Sequence, residues 1–250
     1  MKSNHRSWKK WLLGIGIVIL LILSSAYIFL QLNTYEALPE ATDLFQEETV
    51  SQEEGWIKVT PSVSSDDIKG QIVIYQGGLV EEAAYLPLAM DLSEEGYQVF
   101  IPDMPLELAI LNTNAIEEIK KEYVTDKDWW LAGHSLGGTS ATIYAKENPD
   151  DIEGIILLAG YPNENSDLSD LNFPILSITS TNDKVINDEN YEKSKSLLPE
   201  KTSYKEIEGG NHSNFGYYGL QDGDGRSILS RTEQQDLVVH YIKTFIDHSR

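Results

Sequence analysis

Apolar residues fall along this chain in three kinds of run. The first is single and long: Trp11 to Leu30 carries no charge over twenty residues. A helix rises about 1.5 Å per residue, so this run predicts a span of roughly 30 Å, the thickness of a bilayer core. Trp8, Trp11, Tyr27 and Phe29 stand near its ends, where amphipathic rings favour the interface. The second kind is short and continuous, as in strands covered on both faces: Gln71–Tyr75, Trp129–Ala132, Ile155–Ala159 and Ile175–Thr179, with Tyr97–Ile101 as a further strand and the more polar Tyr204–Ile207 as a last short one. Gly55–Thr60 alternates instead and is stopped by Pro61. The third kind has helical spacing and covers Glu81–Glu95, Leu106–Tyr123, Leu136–Glu147, Val185–Leu198 and Arg231–Asp247.

Apolar strands alternating with helices predict an α/β architecture, a mainly parallel sheet with helices on both faces. In such sheets ligands bind beyond the carboxyl ends of the strands, so functional residues are expected just after strands. A length of 250 residues suffices for one such domain. The expected organisation is a basic cytoplasmic segment at 1–10, a transmembrane signal anchor at 11–30, a polar tether and start of the domain at 31–48, and a catalytic domain at 49–250. Lys2, Arg6, Lys9 and Lys10 precede the apolar run without an acid, which places the basic flank inside the cell and the domain outside. Cleavage after Ser24-Ser25-Ala26, as in a signal peptide, is the rival reading. Apolar residues continue through Ile28, Phe29 and Leu30, which favours an anchor.

Composition narrows the chemistry. There is no cysteine, so disulfides, a thiol nucleophile and thiolate metal ligands are excluded. The formal net charge is -21; the four basic residues before the apolar run contribute +4, so the remainder carries about -25. That charge disfavours nucleic acid as a partner. The acids are spread along the chain, as on a solvated exterior.

Gly133-His134-Ser135-Leu136-Gly137 lies between the Trp129–Ala132 strand and the helix that follows. A Gly-x-Ser-x-Gly in that context reads as a nucleophile elbow, with Ser135 exposed on a sharp turn and small flanking residues letting strand and helix cross closely. A serine hydroxyl needs a base. Of five histidines, His5 precedes the apolar run, His240 and His248 lie on the last helix, and His134 is inside the elbow. His212, on the glycine-rich loop after the last strand, remains. Asp183, directly after the Ile175–Thr179 strand, leads as its acid because this architecture orders the triad Ser, Asp, His; Asp167, Asp170 and Asp188 are rivals. The amide of Leu136 is expected to donate to the oxyanion, together with Leu79 or Gly78 from the loop after Gln71–Tyr75. Asp222-Gly223-Asp224-Gly225 lacks the remaining ligands of a calcium loop and reads as turns beside the histidine loop.

Several segments carry a family likeness: Tyr75-Gln76-Gly77-Gly78-Leu79-Val80, Ala84-Tyr85-Leu86-Pro87-Leu88-Ala89, Met104-Pro105-Leu106, the elbow with Gly138, Gly209-Gly210-Asn211-His212-Ser213-Asn214-Phe215-Gly216 and Tyr218–Gly225. The chain resembles the α/β-hydrolase superfamily, and its α/β-hydrolase fold-5 branch most. The resemblance implies a Ser135, Asp183, His212 triad, with a single-pass membrane anchor in some members. Gln76 departs from the proline common at that place.

The stretch from Gly160 to Phe173, where many hydrolases of this fold insert a lid, is too short for a lid domain. An open acyl site is therefore expected, walled by Tyr161, Phe215, Tyr217 and Tyr218. The expected activity is that of a membrane-anchored serine hydrolase. It would cleave an ester or similar acyl bond of a small-molecule or cell-envelope substrate, with no metal or cofactor and with the bilayer as a partner through residues 11–30. Two alternatives are an acyltransferase using the same triad and a non-catalytic binding module that kept the fold.

Overall fold

The computed structural model describes residues 5–249; Lys2, part of the expected basic flank, lies outside them. The chain divides into two units, Met1–Thr34 and Tyr35–Arg250. In the first, helix α1 covers His5–Leu32. Its stretch Trp11–Leu32 has a mean hydropathy of 2.6 and is long and apolar enough to cross a membrane, although a signal sequence has the same character.

The second unit is built on an eight-stranded sheet. The strands are β1 (Val50–Glu53), β2 (Trp56–Val59), β3 (Gly70–Tyr75), β4 (Tyr97–Pro102), β5 (Trp129–His134), β6 (Gly154–Leu158), β7 (Ile175–Ser180) and β8 (Ser203–Ile207). Their spatial order is β1-β2-β4-β3-β5-β6-β7-β8. β2 pairs antiparallel with both β1 and β4, and all other pairings are parallel. The helices are α2 (Pro39–Thr42), α3 (Leu86–Glu94), α4 (Ala115–Glu122), α5 (Leu136–Glu147), α6 (Asp188–Ser194) and α7 (Arg231–Ser249).

Side chains alternate between two cores. Ile72, Ile74, Trp130 and Ala132 face one, where α3 contributes Leu88 and Leu92 and α7 contributes Val238 and Ile242. Val73, Tyr75, Trp129 and Leu131 face the other, with Ile116 and Ile119 of α4 and Ala141 and Tyr144 of α5. Burying one large aliphatic side chain contributes about 1.5–3 kcal/mol, which is why strands covered on both faces have no polar alternation.

Four local features differ from the sequence expectation. β1 was not foreseen, since Val50-Ser51-Gln52-Glu53 holds a single apolar residue; it pairs with β2 across a tight turn in which Gly55 has φ +94°. The expected helix at Leu106–Tyr123 shrinks to α4. Leu106 and Glu107 both have φ +57°, and two 3₁₀ turns, Pro105–Glu107 and Ala109–Leu111, replace its first half. A tertiary bond from the Leu79 amide to the Glu107 carbonyl, 2.8 Å, holds that turn. The helix expected from Glu81 opens as a 3₁₀ turn, Glu82–Tyr85, before α3. α6 starts only at Asp188, because the Asn187 side chain accepts the Asn190 amide at 2.8 Å as an N-cap.

The segment from Tyr35 packs into the domain: its amide donates to the Leu79 carbonyl, the Leu38 amide donates to the Tyr217 carbonyl, and Ala41 is fully buried. The connection from β6 to β7 contains no helix, so no lid domain stands over the carboxyl ends of the strands.

Candidate active site

Ser135 sits between β5 and α5 with φ 51° and ψ -117°. A non-glycine residue there is strained by about 1–3 kcal/mol and persists only where its surroundings fix it. The fixing is visible. The Ser135 amide donates to the Leu158 carbonyl at 2.9 Å, pinning the turn to the end of β6. A Cβ on Gly133 would lie 2.3 Å from the Gly137 carbonyl oxygen, and one on Gly137 would lie 2.3 Å from that of Tyr75. Gly160, not singled out from sequence, has the same role: its Cβ would meet the Ser135 carbonyl oxygen at 2.8 Å.

His212 follows β8 and is buried, as is Asp183 after β7. Their side chains bond, with Nδ1 to Oδ2 at 2.7 Å. Asp183 Oδ1 accepts the amides of Val185 at 2.8 Å and Ile186 at 2.9 Å, so the carboxylate is held at both oxygens. An acceptor at Nδ1 puts the imidazole proton there and leaves Nε2 as the basic nitrogen. His212 Nε2 has no hydrogen-bond partner among the described residues. The His212 ring lies 4.5 Å from that of His134, the neighbour of Ser135. The rival acids are elsewhere. Asp167 accepts the Ser169 amide in its own turn, Asp170 is exposed, and Asp188 opens α6.

Leu136 is the first residue of α5, so its N–H has no intrahelical acceptor. Of the two residues expected as the second donor, the structure removes one. The Leu79 amide is spent on the Glu107 carbonyl, and the Gly77 amide donates to the Tyr85 hydroxyl at 2.8 Å. Gly78 lies between them, and a Cβ there would touch Leu136 Cδ2 at 3.0 Å. Gly78 and Leu136 are thus side by side.

The aromatic wall is also corrected. Phe215 is fully buried, 5.6 Å from His134 ring to ring, because the 3₁₀ turn after His212 directs it into the core. Tyr218 is buried too and packs against Tyr35. Tyr217 is half-buried, with Arg231 over its ring. Tyr161 is half-buried near Tyr191, and its carbonyl accepts the Thr139 hydroxyl of the elbow helix.

Asp224 has a role that sequence reasoning missed. Its Oδ2 accepts the Ser213 amide at 2.8 Å and hydroxyl at 2.6 Å, and its Oδ1 accepts the amides of Lys184 at 3.2 Å and Gly225 at 2.7 Å. One carboxylate therefore ties the residue after His212 to the residue after Asp183. The Asp-Gly-Asp-Gly turns beside the histidine loop were legible, but not their bond to the loop after Asp183. Among the described residues, Glu82, Asp103 and Glu107 are the acids close enough together to share a metal ion, with ligand atoms within 4.8 Å of one another. Gln76 donates to Glu107 there.

The model of the alpha/beta hydrolase family matches residues 71–236. No curated protein matches the chain by sequence. Among solved structures the fold is similar to a monoacylglycerol lipase of Paleococcus ferrophilus, with 15% identity and a TM-score of 0.60 over 76% of this chain and 98% of that one. It is also similar to the carboxylesterase CesB of Bacillus subtilis, with 10% identity and a TM-score of 0.60 over 83% and 94%. Est1E of Butyrivibrio proteoclasticus aligns with 15% identity and a TM-score of 0.58 over 80% and 97%. At such identities these likenesses speak for the fold alone. Sheet order, elbow and family match agree: the chain belongs to the alpha/beta hydrolase family.

Proposed function

We propose that this protein is a serine hydrolase that cleaves an ester or similar acyl bond through an acyl-enzyme. Ser135 attacks the carbonyl carbon while His212 Nε2 takes its proton. His212 then returns the proton to the leaving group, and a water activated in the same way releases the acid. Asp183 holds the tautomer and stabilises the imidazolium. The amides of Leu136 and Gly78 receive the oxyanion. The observation that carries this reading is the buried His212–Asp183 bond, which leaves an unpartnered basic nitrogen beside the elbow. The printed names of the neighbours, a lipase and a carboxylesterase, agree with acyl-bond hydrolysis. In this reading α1 anchors the protein by a single pass, the domain is extracytoplasmic, and the substrate is a small-molecule or cell-envelope acyl compound. The test is turnover of a panel of p-nitrophenyl esters and thioesters by the full chain in detergent. Release of acid from at least one, lost in Ser135→Ala, is expected; no turnover of any acyl substrate would contradict the proposal.

A further inference from the structure

One buried pair outside the triad touches all three parts of the site. Tyr85 and His134 are both fully buried. The Tyr85 hydroxyl accepts the Gly77 amide at 2.8 Å and lies 2.8 Å from His134 Nδ1. Having accepted from Gly77, the hydroxyl still has one proton to place, and Nδ1 is the acceptor it meets. Were Nδ1 to carry the proton instead, the hydroxyl hydrogen would be left buried with no acceptor at all, whereas a proton on Nε2 faces the His212 backbone carbonyl. His134 is therefore neutral, with its proton on Nε2. There is no room for a side chain between the three groups, since a Cβ on Gly77 would lie 2.9 Å from His134 Nδ1 and 3.0 Å from the Tyr85 oxygen.

We propose that Tyr85 and His134 are positioning residues, fixing the oxyanion loop, the elbow and the His212 ring in one arrangement. The proposal rests on the triad reading above. Gly77 precedes Gly78, so the bond to Tyr85 sets the direction of the neighbouring amide. His134 precedes Ser135, and its ring lies 4.5 Å from the His212 ring. A charge on His134 at that distance would oppose the imidazolium that forms on His212 during acyl transfer. Burial and the His212 imidazole hold the His134 pKa well below the ordinary histidine range, against the pull of the His212 backbone carbonyl. On its other side His134 Nε2 faces only the His212 backbone carbonyl, outside ordinary hydrogen-bond geometry, so the neutral tautomer is set mainly from the Tyr85 side.

The test is the second-order rate of labelling by a fluorophosphonate, measured on the full chain beside its melting temperature. Tyr85→Phe keeps the ring and deletes the hydroxyl; its rate is expected to fall at least tenfold. His134→Asn offers an acceptor near the place of Nδ1, whereas His134→Leu fills the volume and accepts nothing. The Asn variant is expected to label at least tenfold faster than the Leu variant, although Leu suits a buried site at least as well for stability. A packing role alone predicts the reverse order of rates. Equal rates for the two His134 variants, or Tyr85→Phe within twofold of the native protein, would overturn the proposal. If Tyr85→Phe does not fold, the His134 pair decides. Failure of the underlying triad reading is visible separately, as native protein that does not label or Ser135→Ala that labels like it.

Discussion

The Nδ1 atom of His212 lies 2.7 Å from Oδ2 of Asp183, while Oδ1 of the same carboxylate is held by two backbone amides. The acid cannot rotate away from the imidazole without giving up those amides. It therefore dictates which imidazole nitrogen carries the proton.

Asp183→Asn should exploit that rigidity. The Asn oxygen stays with the amides of Val185 and Ile186, and its NH2 faces His212. His212 must then present Nδ1 as an acceptor and carry its proton on Nε2, the nitrogen that acts as base in the proposed mechanism. Turnover is expected to fall about 10³–10⁴-fold with the fold retained by circular dichroism. Activity within tenfold of native would remove Asp183 from the site.

Gly137→Ala should fail at folding rather than at chemistry. Its Cβ would stand 2.3 Å from the Tyr75 carbonyl oxygen and 2.4 Å from that of Gln76, backbone atoms that cannot swing aside. A loss above about 3 kcal/mol, or no soluble folded protein, is expected. A melting temperature within two or three degrees of native would show that the elbow is looser than this packing implies.

Glu107 makes stability depend on pH. Burial first, then Glu82, Asp103 and Glu81, push its carboxyl up to about 7 from an ordinary 4.5, against the opposing bond from Gln76. Between those values the folded protein binds more protons than the unfolded chain, so this group's contribution weakens as pH rises from 4.5 to 7. The side chain is only half-buried and partly screened by solvent, so the loss at pH 8 is of the order of 1 kcal/mol rather than that of the full shift. Glu107→Gln keeps an acceptor for Gln76 and should melt higher than native at pH 8, with a flatter profile from pH 4.5 to 8. Parallel melting profiles would rule out Glu107 as the source.

Much of this was legible in the sequence because it depends on local pattern. Apolar runs marked the parallel strands other than β8, and Gly133, Ser135 and Gly137 marked the elbow. Elimination among five histidines left His212, which the structure pairs with Asp183. What was hidden depends on partners distant along the chain. Leu106–Leu111 has helix-like apolar content, yet a bond to Leu79 holds it in turns with positive φ. That bond also removes Leu79 as an oxyanion donor. Phe215 read as a wall because it neighbours His212, but direction is set by the turn, not by proximity in sequence. Tyr85 and Asp224 carry no motif that reveals what they hold.

The anchor is tested by topology. In intact cells, added protease should remove the domain and leave α1 with the membrane, since Trp11–Leu32 is long and apolar enough to span it. A soluble mature form beginning at Tyr27 would show cleavage of a signal peptide instead. A protected domain would reverse the orientation.

The most direct test of the central claim is peptide mass spectrometry of the protein after reaction with a fluorophosphonate. The account predicts one adduct per chain, on Ser135, absent from Ser135→Ala and from protein denatured beforehand. An adduct on another residue, or equal labelling of Ser135→Ala, would contradict it.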